Sequence, residues 1–259
     1  MRIPRVAPWV LVCLYTSISS VLASDNPADI AAKARERMKG DVARKRHELV
    51  FNRNETTQML DAKGKIINTT TETYIIYGLG DGDQMGQKLI RVDGKPLDQI
   101  YPDKEVHAKK SEPGYTDDFI DEKFFDRFDF SFASPDTINF NGHPCVVLAF
   151  RPKKHPPNVT NPTPTSEAFN LLKGLIYIEK ETNVTWYIRG ELSESLSKFF
   201  GIAGIWKFDF TFEFQDYQGI QVGKSYDILV SYNEPFKETK HEHHLITNDA
   251  FDFINHQEQ

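Results

Sequence analysis

Ile205-Trp206-Lys207-Phe208-Asp209-Phe210-Thr211-Phe212-Glu213-Phe214 and, after a turn-rich break, Tyr226-Asp227-Ile228-Leu229-Val230-Ser231-Tyr232-Asn233 decide the fold. Even-numbered positions in both arms are apolar and the odd-numbered ones mostly polar, the period-two pattern of strands buried on one face. The break from Gln215 to Lys224 contains Gly219 and Gly223, so the arms are expected to pair as an antiparallel hairpin. One face then carries Phe208, Phe210, Phe212, Phe214, Tyr226, Ile228, Val230 and Tyr232, and it must meet either a covering helix or an apolar ligand. Lys207, Asp209, Thr211 and Glu213 belong to the other side, which predicts a wet convex face and an apolar concave one.

Similar strands surround this hairpin. Asn26-Pro27 pairs a capping residue with a proline suited to the first helical position, and Ile30, Ala34 and Met38 share one stripe before Gly40. The residues from His47 to Met59 and from Ile66 to Tyr77 read as strands about the turn Asp61-Ala-Lys-Gly64. Short strands follow, with Asp93-Gly94 and Asn141-Gly142 as tight turns. Two helices interrupt them, a polar one from Asp103 to Lys110 and an acidic one from Thr116 toward Phe128, the better cover for the apolar face. Leu175–Glu179 and Val184–Arg189 make another hairpin, Ser193–Phe200 a helical turn, and Lys237–Ile246 a last strand. About ten strands with a few helices predict a large, curved antiparallel sheet, an unclosed half-barrel with helices over its concave face.

The domain plan is a signal peptide at 1–23, an N-terminal helix at 24–44, and one half-barrel domain at 45–255 with a proline-rich loop at 152–165. Arg2 and Arg5, the apolar run Val6–Leu22 and Val21-Leu22-Ala23 have the layout of a cleaved export signal, so the mature chain is expected in the periplasm or secreted. Cys13 follows Val12 and lacks the small residue a lipidation site wants; Cys145 is then the one cysteine left, and no internal disulfide forms. A formal charge of −6 without a basic cluster argues against nucleic acid and anionic membrane surfaces, and no run after the signal reaches membrane-spanning length. Asn54, Asn68, Asn158 and Asn183 begin Asn-x-Thr triplets, glycan acceptors only in a eukaryotic secretory pathway.

No catalytic signature stands out. His241-x-His243 places two imidazoles on one strand face, but no third ligand is evident, and a solvated edge strand explains them without metal. Asp81-Gly-Asp83 lacks the rest of a calcium loop, and Asp117, Asp118, Asp121 and Glu122 suit a helix start. Cys145 sits in an apolar strand as a small hydrophobe. The expectation is a protein without catalysis, cofactor or metal, the alternative being a hydrolase that depends on His241 or His243. Nineteen phenylalanines, ten tyrosines and three tryptophans favour a hydrophobic ligand, lipid or acyl chain in an apolar groove lined by the eight hairpin residues above. The alternative is an envelope interaction or stress-sensor module binding a segment of another periplasmic protein by strand addition.

Further punctuation is carried by Gly94-Lys-Pro-Leu97, Phe128-Asp-Phe130, Asn141-Gly-His-Pro144 leading into Leu148-Ala-Phe150-Arg-Pro152, and Gly174-Leu-Ile-Tyr-Ile178 before Thr182. Over residues 45–253 this pattern resembles the LolA/LolB-like periplasmic lipoprotein-carrier superfamily, in particular its exported bacterial members. The resemblance implies a half-barrel whose concave face, partly closed by helices, accepts acyl chains or another apolar partner.

Overall fold

Long antiparallel strands make up most of the molecule, and their register fixes where every side chain of interest stands. The computed structural model describes residues 26–78, 85–100, 109–110, 125–156, 164–198, 203–233 and 235–254. In chain order the elements are α1 (Pro27–Glu48), β1 (Leu49–Leu60), β2 (Ile66–Gly78), β3 (Met85–Val92), β4 (Lys95–Pro96), α2 (Leu97–Ile100) and β5 (Lys109–Lys110). They continue with β6 (Phe128–Phe132), β7 (Ile138–Phe140), β8 (His143–Pro152), α3 (Pro164–Phe169), β9 (Leu172–Glu179) and β10 (Thr185–Leu192). The last are β11 (Leu196–Lys198), β12 (Ala203–Tyr217), β13 (Ile220–Asn233) and β14 (Lys240–Phe253).

All fourteen strands form one sheet, in the order β4-β3-β2-β1-β14-β13-β12-β10-β9-β8-β6, with β5, β7 and β11 pairing alongside β3, β8 and β12. Every pairing is antiparallel, and β4 and β6 at the two ends are not joined, so the sheet stays open and curved. There are more strands than the sequence suggests. Ser193–Phe200, expected as a helical turn, supplies β11, which pairs with β12 from Leu196 to Lys198. Lys109 and Lys110, expected to end a helix, are extended and pair with Gln87 and Gly86.

The hairpin at the centre is longer than its alternation suggested. β12 and β13 pair from Gly204↔Asn233 to Tyr217↔Ile220, with only Gln218 and Gly219 between them. Both have positive φ, +51° and +81°, the backbone of a two-residue hairpin turn. The expected break from Gln215 to Lys224 is therefore mostly strand. A register shift between Glu213 and Phe214 hides it, by interrupting the alternation near Gly223.

α1 starts as the sequence indicates, with Asn26 Oδ1 accepting from the Ala28 amide at 3.1 Å and Pro27 in the first position. It continues through Gly40 to Glu48. The Arg37–Asp41 and Arg44–Glu48 pairs, at 2.7 and 3.1 Å, bind successive turns of its second half. Ile30, Ala31, Ala34 and Met38 are all buried against the sheet in the main core, with Phe150, Ile178, Phe210, Phe212 and Ile228. The helix touches β6, β13, β1 and β2, so it lies across the apolar face. Of the two helices expected between Asp103 and Phe128, only the extended Lys109–Lys110 end of the first and the Phe125 end of the second, which packs on the same core, lie within the described residues. The export signal and the Asp81–Asp83 loop also lie outside them. Among the described residues no helix is long and apolar enough to cross a membrane.

Candidate functional site

The eight hairpin side chains do share a face, and α1 lies over much of it. Phe210, Phe212, Phe214, Tyr226 and Ile228 are buried in the main core; Phe208, Val230 and Tyr232, nearer the open end of the hairpin, are half-buried. The rings pack on one another, Phe210 to Phe212 at 4.8 Å and Phe212 edge-on to Tyr226 at 5.2 Å between centroids. A seam of about 20 Å³ between α1 and the sheet is bounded by Ala31, Ala34, Met38, Ile176 and Ile188. It has no room for an acyl chain.

Two glycines set how tightly this core closes. Gly174 of β9 and Gly190 of β10 are direct partners, flanked in the same row by Phe150 of β8 and Phe210 of β12. A Cβ on Gly190 would stand 2.5 Å from Phe210 Cζ, and one on Gly174 2.6 Å from Phe150 Cζ. The two rings therefore lie in the space the missing side chains leave.

On the opposite face, the side chains either side of this row wall a cleft of about 710 Å³. Its floor is backbone of Phe150, Gly174, Gly190 and Phe210, and its walls are odd-numbered residues from six strands. One wall runs Ala149, Leu175, Arg189, Thr211, Asp227; the other runs Arg151, Lys173, Glu191, Asp209, Leu229, His243. The cleft is thus a trough perpendicular to the strands. Five strand spacings make it roughly 24 Å long, the reach of about seven extended residues.

The charges along it are sorted. Arg151, Lys173 and Arg189 stand on β8, β9 and β10, whereas Glu191, Asp209 and Asp227 stand on β10, β12 and β13. They meet in the middle, where Lys173 Nζ is 3.2 Å from Glu191 Oε1. At the acidic end His243 Nε2 is 2.7 Å from Asp227 Oδ1, and its Nδ1 is 3.2 Å from Gln58 Oε1. Leu175, Leu229 and Ala149 add apolar stretches to the walls between the charges. No run of sequence contains this arrangement, because neighbours along the trough stand on different strands that only the ladder registers bring side by side.

His241 is on the trough side with His243 but bonds through Nδ1 to Ser231 Oγ at 2.8 Å. His244 faces the other way and meets Glu242 at 3.2 Å. Among the described residues no group of three or more His, Cys, Asp or Glu is placed to hold a metal ion. On the α1 side, the β1, β2 and β14 portion of the sheet is polar. Glu55 and Glu72 are direct cross-strand partners, and Tyr74 donates to Glu72 at 2.8 Å. Burial holds the Glu55 carboxyl above its ordinary value, against the nearby Arg53, and burial with the Glu72 bond raises the Tyr74 hydroxyl. Burial pushes the Cys145 thiol up to about 11, so it stays protonated and unreactive at neutral pH.

The fold and this trough define an open antiparallel sheet with one helix-covered apolar face and one charged, grooved face. No protein-family profile matches the sequence, and no curated protein matches it. Among solved structures, MucB in complex with MucA(peri) is similar over 85% of this chain and 94% of that one, at 9% identity and a TM-score of 0.28. A likeness at that distance carries no inference about fold or function.

Proposed function

We propose that this chain is a non-catalytic, exported binding protein that takes a polypeptide segment into the trough across β8 to β14. The observation that carries this reading is the contrast between the faces: a 20 Å³ seam on the aromatic side and a 710 Å³ charge-sorted cleft on the other. A segment with acidic residues at one end and basic residues at the other matches the cationic β8–β10 and anionic β10–β13 portions. Lying across the strands, it would be held by side chains and not by strand addition. The purified chain should bind a labelled ten-residue peptide with one Glu block and one Lys block by fluorescence anisotropy. An alternating Glu/Lys peptide of equal composition should bind at least about tenfold more weakly, and Arg151→Glu with Arg189→Glu should remove the difference. Equal binding of both peptides, or of neither, overturns the proposal.

One observation favours a second reading, an acyl chain on the aromatic face. The buried side of α1 holds few large apolar groups, its Ile30 and Met38 being accompanied by Ala31, Ala34, Arg35, Asp41 and Lys45. A helix with so few large apolar anchors is a displaceable cover. Lipid extraction and native mass spectrometry of the purified chain decide it: a bound lipid, lost when α1 is cross-linked to β13, supports this reading, and an empty protein removes it.

A further inference from the structure

Five large apolar residues are exposed among those described, and four of them gather at one end of the sheet. Ile66 is 48% exposed, Ile67 64%, Trp206 40% and Phe236 92%. The ladder registers place them together. Ile66 pairs with Leu60, Leu60 with His241, His241 with Ser231 and Ser231 with Lys207, a row crossing β2, β1, β14, β13 and β12. Four strand spacings make this edge roughly 19 Å wide. Phe236 stands beyond the row, in the turn from β13 to β14, and Trp206 beside Lys207 at the start of β12.

Phe236 has φ +62°, a left-handed conformation that a bulky L-residue seldom takes, and its ring is almost wholly in water. Neither property helps the fold. Trp206 is amphipathic in place, with its Nε1 donating to Asn233 Oδ1 at 3.1 Å while part of the ring stays exposed.

The surrounding charge is opposite in sign to the chain's. In sequence, Lys63, Lys65, Lys237 and Lys240 belong to these two turns or the adjoining strand end, against Asp61, Glu234 and Glu238, a small positive excess. Asp61 is engaged by the Lys63 and Lys65 amides, each at 2.9 Å. An apolar tip with an indole at its margin and lysines around it has the composition of a membrane-interface contact. The formal −6 of the whole chain conceals this, since most of its acids lie elsewhere.

We propose that the end of the sheet formed by the β1–β2 and β13–β14 turns docks on an anionic lipid surface. Phe236 and Ile67 insert at headgroup depth, Trp206 rests at the interface, and the lysines neutralise lipid phosphates. This contact is independent of the trough. The trough's long axis crosses the strands, whereas the tip closes their ends.

The test is sedimentation of the full chain with vesicles of phosphatidylcholine alone or mixed with phosphatidylglycerol. The wild-type chain should pellet with the mixed vesicles, at least about tenfold more strongly than with phosphatidylcholine alone. Phe236→Ser with Ile67→Ser should lose that binding, and Lys63→Glu with Lys237→Glu should abolish the preference for the anionic lipid. Every variant keeps residues 1–25 unchanged, so a loss reports on the tip. All four positions are exposed, and melting temperatures should stay at the wild-type value. Unchanged sedimentation of both double variants overturns the proposal. So does a wild-type chain that ignores the anionic lipid, or a photo-cross-linker at position 236 that captures protein and no lipid in an envelope extract.

Discussion

The two turns that bracket β13 are built on opposite principles. At its start, Gln218-Gly219 is tied down on every side. Gly219 carbonyl accepts from Arg37 and Arg44 of α1, each at 3.0 Å, and its amide donates to Asp216 at 3.1 Å. Beside it Tyr217 donates to the Phe251 carbonyl at 2.7 Å and packs on the rings of Phe251 and Phe253, over buried Leu49, Ile220 and Val222. At its other end, the Pro235–Thr239 stretch is exposed throughout and holds Phe236 in the left-handed region. A chain able to finish one turn so completely has left the other with an aromatic ring in water. The difference is a reason to read the open turn as a contact surface.

Substitutions can break or sharpen that contrast. The largest effect belongs to Leu49→Ala, which empties a fully buried site beneath the tied turn and should cost about 2–5 kcal/mol. A lower denaturation midpoint at unchanged slope reads it, and a loss under about 1 kcal/mol would break the contrast. Gly219→Ala places a Cβ at φ +81° and should cost about 1–2 kcal/mol. Tyr217→Phe removes the bond to the Phe251 carbonyl and should cost about 0.5–1.5 kcal/mol by the same measurement.

At the open turn the sign reverses. Phe236→Gly relieves the left-handed penalty of about 1–2 kcal/mol and adds back about 0.5–1 kcal/mol of unfolded-state freedom, for a net gain near 0.5 to 1 kcal/mol. A loss of stability would show that the ring has a structural contact after all.

Much of the fold was legible because a strand's period is short and local. Phe208 to Phe214 and Tyr226 to Tyr232 announced one apolar face, and the structure places them on it. The cover was harder to see. Ala31 and Ala34 bury little area, and Arg35, Asp41 and Lys45 lie on the same buried side, so α1 shows only a weak stripe. Gly40 reads as a stop, yet a Cβ there would meet nothing within 4 Å, and the helix runs on. The trough was not legible at all. Alternation says that Arg189 and Asp209 face away from the core, but only the lateral order β9-β10-β12-β13 makes them neighbours, and β11 drops out of that order. Glycines 174 and 190 gave no signal either, since each needs its partner across the ladder to matter.

The pairing of β1 with β14 bears on how the molecule is made. It joins Leu49 to Phe253 and Leu60 to His241, so the seam in the middle of the sheet unites the first strand in sequence with the last. Until β14 is in place, the β1–β3 portion and the β6–β13 portion are separate pieces, each with an open flank where β14 belongs. Closing the seam carries the loop-closure cost of nearly the whole chain, which makes it a slow, late step. In that interval the unfinished flank of β13 lies exposed, ready to pair with a foreign strand. That exposure ends only when the last fourteen-residue strand pairs.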